Sequence, residues 1–439
     1  MRGQEQQTSI YVAGVSGRRP RVPTDATLLE ERARQVMSDD AFAYVAGGAG
    51  TGATMRANRA AFDRWRIVPR MLRDVSERDS SVELFGRTLP APFLVAPIGV
   101  LEMAHREAER AVARAVRDEG VPMVYSNQAS VPMEEVSALL GDSPRWFQLY
   151  WSTRDELVES FVRRAEACGC EAIVVTLDTT LLGWRTRDLD LGWLPFLRGM
   201  GIAQYTSDPV FTKLLSERAD GAPQPEPKPS LAALRTLIKL TRNYPEAFLP
   251  ALRSGRARAA VQRFVQIYSR PSLSWDDLPF LRERTKLPIV LKGILHADDA
   301  RRAVDEGIDG IVVSNHGGRQ VDGAIATLDA LPAIAAAVDG RIPVLLDSGI
   351  RSGADIFKAL ALGARAVLLG RPHVYGLALA GEAGVREVLT NFIADFDLTM
   401  GLAGCRSVSE ITAETLVPAP GAGAGQPPPR QGPRGAAAT

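Results

Sequence analysis

The chain has 439 residues, of which 46% are hydrophobic and 23% are charged. This composition is typical of a soluble globular protein with a large core. A formal net charge of +1 excludes a global electrostatic field that would attract nucleic acid or an anionic membrane. No apolar run reaches the roughly 20 residues of a membrane span, and the first residues lack the apolar segment of a secretion signal. We therefore expect a cytoplasmic protein.

Cysteine and histidine are scarce in this chain. Cys168 and Cys170 form a C-x-C pair, and Cys405 lies far from both in sequence. A structural zinc site needs four ligands, and no nearby Cys or His completes such a set. We expect reduced thiols and no metal site.

Composition divides the chain into an arm, a large domain and a tail. Residues 1–25 form the predicted N-terminal arm, because they show no clear hydrophobic period. Residues 26–417 form the predicted domain. Residues 418–439 are almost wholly Pro, Gly and Ala, so the tail is predicted to be disordered. The stretch GAPQPEPKPS at 221–230 is predicted to be an exposed, extended loop.

Eight short apolar runs recur within the domain and are typical of strands buried on both faces of a parallel sheet. The runs span residues 93–97, 122–126, 146–150, 172–178, 288–292, 310–314, 343–348 and 366–370. Helix-period segments that end in Gly separate many of them, as at 105–120 and 352–363. The pattern predicts an α/β fold, a (β/α)8 TIM barrel. We also expect an N-terminal helical segment and a long insertion, residues 186–273, after the fourth strand.

A barrel of this kind carries its active site at the carboxyl ends of the strands. Two such ends, DSGIRSGAD at 347–355 and GRP at 370–372, place Gly349, Arg351, Gly370 and Arg371 near helix starts. Backbone N–H groups and guanidinium groups there favour a phosphate. The alternative is that these are two glycine turns with surface arginines.

The stretch SNHGGRQ at 314–320 follows the sixth predicted strand. His316 is the candidate general base, because a neutral imidazole accepts a proton near pH 7. The resulting imidazolium gains from a carboxylate, and Asp178 is best placed by topology. Asp347 is a candidate for holding a ligand hydroxyl, and Arg319 for holding a substrate carboxylate. The alternative for His316 is a purely structural role.

Further polar residues follow other strands. Arg185 is a candidate second clamp on the same carboxylate, and Tyr44 and Tyr150 could donate phenol hydroxyls. Lys292 ends the fifth strand, where a cation would stabilise negative charge on a reduced ring. The alternative for each is a surface or packing role.

These strand ends resemble those of the FMN-dependent α-hydroxy-acid oxidising enzymes, the glycolate and lactate oxidase family. The resemblance rests on SNHGGRQ, LKGI, FQLY, TLDT, LDSGIR and GRP, and it runs from about residue 28 to about residue 417. Within the family, YVAGGAG (44–50), GWRTRDL (183–189) and PFLRG (195–199) resemble the L-lactate 2-monooxygenase branch. So does the long insertion.

The resemblance implies roles for individual residues. His316 would be the base, Asp178 its partner, Arg185 and Arg319 the carboxylate clamp, and Tyr44 and Tyr150 donors to the substrate. FMN is the implied cofactor. The residues implied to contact its ring are Pro97, Ile98, Gly99, Ser126, Gln148, Thr176 and Lys292, with Ser314 near the ribityl chain and ring. Those implied to hold its ribityl chain and phosphate are Asp347, Gly349, Arg351, Gly370 and Arg371.

The expected function is therefore oxidation of a small, lactate-like L-2-hydroxy acid at C2 with O2, by a homo-oligomer (a tetramer or an octamer). Oxidative decarboxylation would give a shortened carboxylate, CO2 and water, with residues 186–273 as a lid. The alternatives are an oxidase that releases keto acid and H2O2, a dehydrogenase with a non-oxygen acceptor, and a non-catalytic barrel. Gly99 stands where many oxidases of the family have Ala, and Gln128 and Leu182 also vary, so the identity of the acid stays open.

Overall fold

The computed structural model describes residues 2–216 and 228–420. Ahead of the barrel lie α1 (Arg2–Val15), α2 (Ala26–Val36), α3 (Asp39–Ala46), α4 (Ala53–Asp63), β1 (Trp65–Ile67), β2 (Val82–Leu84) and β3 (Arg87–Leu89). Asp25 and Ser38 cap α2 and α3, because their side chains accept hydrogen bonds from N–H groups of the first turn. The predicted N-terminal helical segment is thus present.

A closed barrel of eight parallel strands forms the centre of the molecule. Its strands are β4 (Phe93–Val95), β5 (Met123–Tyr125), β6 (Arg145–Leu149), β7 (Ile173–Thr176), β8 (Ile289–Ile294), β9 (Gly310–Val313), β10 (Val344–Leu346) and β11 (Ala366–Leu369). Each strand overlaps one of the predicted apolar runs. Strands consecutive in sequence are neighbours, and β11 pairs with β4 to close the ring. The predicted TIM barrel is confirmed.

Each barrel strand is buried on both faces, which explains why the apolar runs are continuous. In β9, Val312 packs inside the barrel, whereas Ile311 and Val313 pack outward beneath the helices. The β2–β3 hairpin contributes Val82 and Leu84 to the interior cluster. The hairpin therefore closes the amino-terminal end of the barrel, and the opposite end stays available for a site.

Helices and short 3-10 turns connect the strands and cover the outside of the barrel. The helices are α5 (Ala108–Glu119), α6 (Met133–Leu140), α7 (Asp155–Ala167), α8 (Thr186–Asp190), α9 (Ala203–Thr206), α10 (Pro209–Leu214), α11 (Leu231–Asn243), α12 (Phe248–Ser254), α13 (Arg256–Ile267), α14 (Leu278–Arg282), α15 (Ala297–Asp305), α16 (Thr327–Val338), α17 (Gly353–Ala361) and α18 (Arg371–Ala403). A last strand, β12 (Leu416–Pro418), pairs antiparallel with β1. Helices α8 to α13 lie in the predicted insertion between β7 and β8.

The N-terminal arm is helical, which the sequence does not predict. Helix α1 occupies residues that lack a clear period, and it lies along α18. The N–H of Gly3 donates to Asp397 Oδ2 at 3.0 Å. A Cβ atom at Gly3 would lie 2.6 Å from Leu398 Cγ, so the close approach of the two helices requires glycine there.

Two predicted segments fall outside the described residues. They are residues 421–439 of the predicted tail and residues 221–227 of the predicted loop, and both stay predictions. Among residues 2–216 and 228–420, no helix is both long and apolar enough to cross a membrane. In the same residues no group of three or more His, Cys, Asp or Glu is placed to hold a metal ion.

A buried ion pair joins the segment before β2 to α18. Arg78 Nε and Nη2 donate to the two carboxylate oxygens of Asp397, each at 2.8 Å. Burial would raise the pKa of Asp397, but hydrogen bonds from Arg78 and from the N–H of Gly3 hold it below its ordinary value. The pair therefore stabilises the fold above the ordinary carboxyl range, and this contribution is lost as the pH falls through the lowered pKa.

The Arg78→Met variant should lower the free energy of unfolding by about 3–5 kcal/mol, because it leaves a buried carboxylate unpaired. Urea denaturation of the FMN-free protein at pH 7 measures this difference. Arg163→Met is the control, since Arg163 forms a solvent-exposed pair with Glu159, and its loss should cost less than about 1 kcal/mol. Equal losses in the two variants would contradict the assignment.

Candidate active site

A cavity of about 240 Å³ opens at the carboxyl ends of the barrel strands. Most of the residues predicted for the site line it: Tyr44, Pro97, Ile98, Gly99, Gln148, Tyr150, Thr176, Arg185, Lys292, His316, Arg319, Asp347, Gly349, Arg351, Gly370 and Arg371. Ser126, Asp178 and Ser314 are not among the lining residues. They lie one layer behind, each in hydrogen-bond contact with a residue that does line the cavity.

The His316 ring is held by Asp178. His316 Nδ1 lies 2.8 Å from Asp178 Oδ1, so in the neutral tautomer Nδ1–H donates to the carboxylate and Nε2 is left to accept a proton. Burial lowers the pKa of His316, and the attraction of Asp178 only partly opposes it. Burial alone would raise the pKa of Asp178, yet the charges of His316 and Lys292 keep it below its ordinary value. The pair is therefore poised as neutral imidazole and carboxylate.

The backbone at His316 adopts a conformation that side chains rarely take. Its φ is +57°, and Gly317 and Gly318 follow at +67° and +74°, so the chain makes a left-handed turn. A non-glycine residue in this region costs of order 1–3 kcal/mol and persists only where its surroundings hold it. Here the N–H of His316 donates to Ser314 Oγ at 3.1 Å. The N–H of Gly317 donates to Ser348 Oγ at 2.9 Å.

The same two serines connect this turn to a buried ion pair. Lys292 Nζ lies 2.9 Å from Asp347 Oδ2 and donates to Ser314 Oγ at 2.8 Å. Ser348 Oγ donates to Asp347 Oδ1 at 2.7 Å. Burial lowers the pKa of Lys292, but the charges of Asp347 and Asp178 raise it above its ordinary value. Lys292 is therefore a permanent cation in the cavity wall, and a closed ring of hydrogen bonds links it to the His316 turn.

Two arginines flank the ring of Tyr44. The guanidinium carbons of Arg319 and Arg185 lie 4.9 Å and 5.9 Å from its centroid. Arg319 Nη1 also donates to the backbone carbonyls of Tyr44 and Gly47. Burial, together with the charge of Arg185, lowers the pKa of Arg319 to about 9. Two buried like charges repel each other, so an anion between them would be stabilised.

The cationic end of the cavity extends to Arg351 and Arg371, because Arg371 Nη2 and Arg319 Nη1 donate to the same carbonyl oxygen, that of Gly47. Burial and the charge of Arg371 lower the pKa of Arg351. The Arg371 nitrogens donate to the carbonyls of Val45 at 3.0 Å, Gly317 at 3.1 Å and Gly47 at 2.8 Å. Arg371 also starts the long helix α18, whose N-terminus favours an anion. The predicted phosphate residues are thus brought together, although backbone carbonyls already engage every nitrogen of Arg371.

Unpaired polar atoms also belong to residues that line the cavity. Gln148 Nε2 and Thr176 Oγ1 are buried without a hydrogen-bond partner in the described chain, and both residues line the cavity. Unsatisfied buried polar groups are costly. Gly99 lies beside them. A Cβ atom at this position would lie 3.0 Å from the carbonyl oxygen of Gln128, so the close packing favours glycine. A flat ring with carbonyl and N–H groups at its edge fits this floor.

The roof of the cavity comes from the insertion, and sequence reasoning missed most of it. Leu194, Phe196, Phe264, Val265 and Tyr268 all line the cavity. The stretch 191–201 could be recognised as an apolar anchor, but the apolar period of α13 indicates only that one face is buried. Thr179, Ser348 and Val374 also line the cavity and carried no signal beyond their position at strand or helix ends.

Part of the insertion is bonded directly to barrel loops. The N–H of Gly201 donates to Glu102 Oε1 at 3.1 Å, and the N–H of Ala203 donates to the carbonyl of Ala129 at 3.1 Å. A Cβ at Gly201 would lie 2.5 Å from Val100 Cγ2, so the contact needs glycine. In this structure the first part of the predicted lid is anchored beside Gly99.

The family model described as FMN-dependent dehydrogenase matches residues 33–418. The chain belongs to this family. It is 44% identical over 93% of its length to the FMN-dependent alpha-hydroxy acid dehydrogenase qulF of Penicillium citrinum, covering 94% of that protein. It is 41% identical over 89% of its length to an L-lactate oxidase of Lysinibacillus sphaericus, covering 91% of it.

Solved structures agree with this assignment. A mandelate oxidase bound to (S)-4-hydroxymandelic acid is 39% identical and superposes with a TM-score of 0.73, over 90% of this chain and 98% of the other. The protein is therefore an FMN-dependent α-hydroxy-acid oxidoreductase, and FMN is its cofactor. The flat floor with its two unpaired polar atoms and the cationic end fit the flavin ring and phosphate.

Replacing Gln148 by Met or Thr176 by Val should weaken FMN binding about tenfold, because each change removes a hydrogen bond in the cavity floor worth about 1 kcal/mol or more. Titration of the FMN-free protein, followed by quenching of flavin fluorescence, measures the dissociation constant. Thr179→Val is the control, and its FMN affinity should stay within about twofold of wild type. Unchanged affinity in both floor variants would show that these atoms do not meet the cofactor.

Proposed function

We propose that the protein oxidises an L-2-hydroxy acid at C2 with O2 and retains the keto acid for decarboxylation. The balanced reaction consumes one 2-hydroxy acid and one O2, and it yields a carboxylate one carbon shorter, CO2 and water. The observation that carries the proposal is the His316–Asp178 pair, which shares one cavity with Arg185 and Arg319. A neutral base next to an anion clamp is what a hydroxy-acid carboxylate requires.

The clamp binds the substrate through its carboxylate. Arg185 and Arg319 repel each other and gain from the bound anion. Tyr44 lies between them and is assigned as a hydroxyl donor to the substrate, as is Tyr150. Burial, with the nearby charge of Asp178, raises the pKa of Tyr150, so its phenol stays a donor at neutral pH.

His316 removes the proton. Its Nε2 accepts a proton from the substrate, while Nδ1–H donates to Asp178 and the carboxylate stabilises the imidazolium that forms. FMN supplies the two-electron acceptor when bound. The residues assigned to hold its ring are Pro97, Ile98, Gly99, Ser126, Gln148, Thr176 and Lys292. Those assigned to its ribityl chain and phosphate are Asp347, Gly349, Arg351, Gly370 and Arg371, with Ser314 near the ribityl chain and ring.

Retention of the keto acid decides whether the reaction with O2 ends in decarboxylation or in release of keto acid and H2O2. Residues of the insertion line one side of the cavity and support retention, because they limit exchange with solvent. Gly99 packs against Gln128, whose carbonyl oxygen would lie 3.0 Å from an added Cβ, so a side chain there would shift the cavity wall. The second candidate is an oxidase that releases keto acid and H2O2, and the relatives named L-lactate oxidase favour it.

Anaerobic mixing of the holoenzyme with 2-hydroxy acids, followed by admission of O2, tests the proposal. The flavin should bleach on mixing, and one CO2 should appear for each O2 consumed. Bleaching followed by stoichiometric H2O2 without CO2 would support the oxidase. Bleaching followed by slow reoxidation would indicate a non-oxygen acceptor, and a flavin that no hydroxy acid bleaches would overturn the proposal.

The His316→Gln variant should lower kcat/KM by about 10³-fold, since a positioned general base contributes 10²–10⁴-fold. FMN content should be unchanged. His296→Gln removes an exposed histidine and serves as the matched control, with activity within about twofold of wild type. Activity above about one tenth of wild type in His316→Gln would contradict the role of His316.

The pH profile provides an independent check. Because burial lowers the pKa of His316, the wild-type acid limb of kcat/KM should lie below pH 6.5 and activity should fall as the pH drops through it. Asp178 raises that pKa, so Asp178→Asn should shift the limb to lower pH and reduce the plateau by about 10²-fold or more. A limb that moves to higher pH would contradict the pairing.

Gly99→Ala should raise the ratio of H2O2 to CO2 at least severalfold. The added Cβ would press on the Gln128 backbone at 3.0 Å and alter the space next to the flavin. Simultaneous electrode and CO2 measurements give the ratio. Gly14→Ala is the control, because Gly14 lies in a helix and its Cβ would meet nothing within 4 Å; the same ratio in both variants would exclude a role for Gly99 in the outcome.

A further inference from the structure

One side of the cavity has no partner in the chemistry described so far. We call it the apolar wall and define it as Leu182, Leu194, Phe196, Phe264, Val265 and Tyr268, all of which line the cavity. We propose that the apolar wall receives a large apolar side chain of the substrate, of the size of a phenyl ring or a four-carbon alkyl chain. This inference rests on the proposed function and names its substrate class.

The apolar wall begins where the carboxylate clamp ends. The guanidinium carbon of Arg319 lies 4.9 Å from the centroid of the Tyr44 ring. The rings of Tyr44 and Phe196 meet edge to face with a centroid distance of 6.4 Å. A substrate carboxylate on the clamp therefore lies one ring away from the apolar wall. The short carbon skeleton of a 2-hydroxy acid spans such a step, so its side chain is directed to this wall.

Aromatic rings give the apolar wall its shape. The centroids of Phe196 and Phe264 lie 5.2 Å apart, and those of Phe264 and Tyr268 lie 5.0 Å apart. Phe264 is wholly buried and also packs edge-on against Tyr205, which is fully buried in the insertion. These contacts fix the rings in place. A preformed aromatic surface favours an apolar guest, and an aryl guest gains further from ring contacts.

The charges of the cavity lie elsewhere. Arg185, Arg319, Lys292 and the His316–Asp178 pair border the clamp and the floor, and none of the six members of the apolar wall is Lys, Arg, His, Asp or Glu. A second carboxylate on the substrate would lose its water against this wall without gaining a partner. The wall therefore selects against charged side chains as well as small ones.

The size of the effect follows from buried area. Each methylene removed from water is worth about fourfold in binding. The methyl group of lactate would cover little of the apolar wall, whereas a butyl or phenyl group would cover much more of it. We expect kcat/KM to rise at least tenfold from lactate to 2-hydroxyhexanoate and to mandelate. Malate, which has a carboxylate in its side chain, should react more slowly than lactate.

Steady-state kinetics of the holoenzyme with lactate, 2-hydroxyhexanoate, mandelate and malate test the inference. Lactate equal to or faster than both large acids would overturn it, even with the proposed chemistry intact. Failure of the proposed function looks different, because then none of the acids bleaches the flavin. If only mandelate, or only 2-hydroxyhexanoate, reacts faster than lactate, the result still supports the apolar wall and narrows the substrate class to aromatic or aliphatic acids.

A larger side chain in the apolar wall should remove the preference for large acids over lactate. Val265→Phe should lower kcat/KM for mandelate and 2-hydroxyhexanoate at least tenfold, with less than a threefold change for lactate. Leu249→Phe is the matched control, since Leu249 is an exposed residue of the same insertion. Leu182→Phe, at the half-open rim, repeats the test if Val265→Phe holds less than its full complement of FMN. Unchanged ratios in both wall variants would overturn the inference.

Ligand binding in the absence of turnover tests the inference separately. Benzoylformate and pyruvate, the keto acids of mandelate and lactate, can be titrated against the holoenzyme and followed by the perturbation of flavin absorbance. Wild type should bind benzoylformate at least tenfold more tightly than pyruvate, and Val265→Phe should remove most of that difference. Equal affinities in wild type would contradict the inference independently of any rate.

Discussion

The arrangement of the site depends on the buried ammonium group of Lys292. A charge without water is costly unless it is paired and fully hydrogen-bonded. Asp347 supplies the pair and Ser314 the hydrogen-bond acceptor. Because those partners sit on the ends of β9 and β10, neutralising one charge ties three neighbouring strands together at the face where the cavity opens.

The His316 turn depends on the same arrangement. Ser314 and Ser348 each accept an N–H of the left-handed turn while contacting Lys292 or Asp347. The unusual backbone at His316 is stabilised by hydrogen bonds to groups that the Lys292–Asp347 pair already holds in place. The position of the imidazole relative to Asp178 is therefore a property of the ring of contacts, and not of the histidine alone.

The arginines concentrate positive charge at the cavity in two pairs, Arg185 with Arg319 and Arg351 with Arg371. The two pairs meet at the carbonyl oxygen of Gly47, to which Arg319 and Arg371 both donate. In each pair burial or a like charge lowers the pKa of a guanidinium. This repulsion is relieved when an anion binds at each pair. The site is prepared for a carboxylate and a phosphate at the same time.

The barrel could be predicted from the sequence because its strands are buried on both faces and leave continuous apolar runs. The strand-end residues followed, since the topology brings carboxyl ends to one face. Helix α1 could not be predicted, because the face that packs on α18 consists of Gly3, Gln6, Ile10 and Ala13, and only Ile10 among them is a large apolar residue. Phe264 and Tyr268 could not be placed either. Their period predicts a buried face, but the path of the insertion over the barrel is set by tertiary contacts such as that between Gly201 and Val100.

The origin of the apolar wall has a consequence for how such a protein diversifies. Proton transfer and anion binding use groups outside the insertion, residues 186–273, whereas five of the six wall residues lie within it. Recombination or directed evolution confined to that segment can change which acid is accepted and leave the redox machinery untouched. In this fold the residues that determine the reaction and most of the residues that determine the substrate therefore lie in different parts of the chain and can change independently.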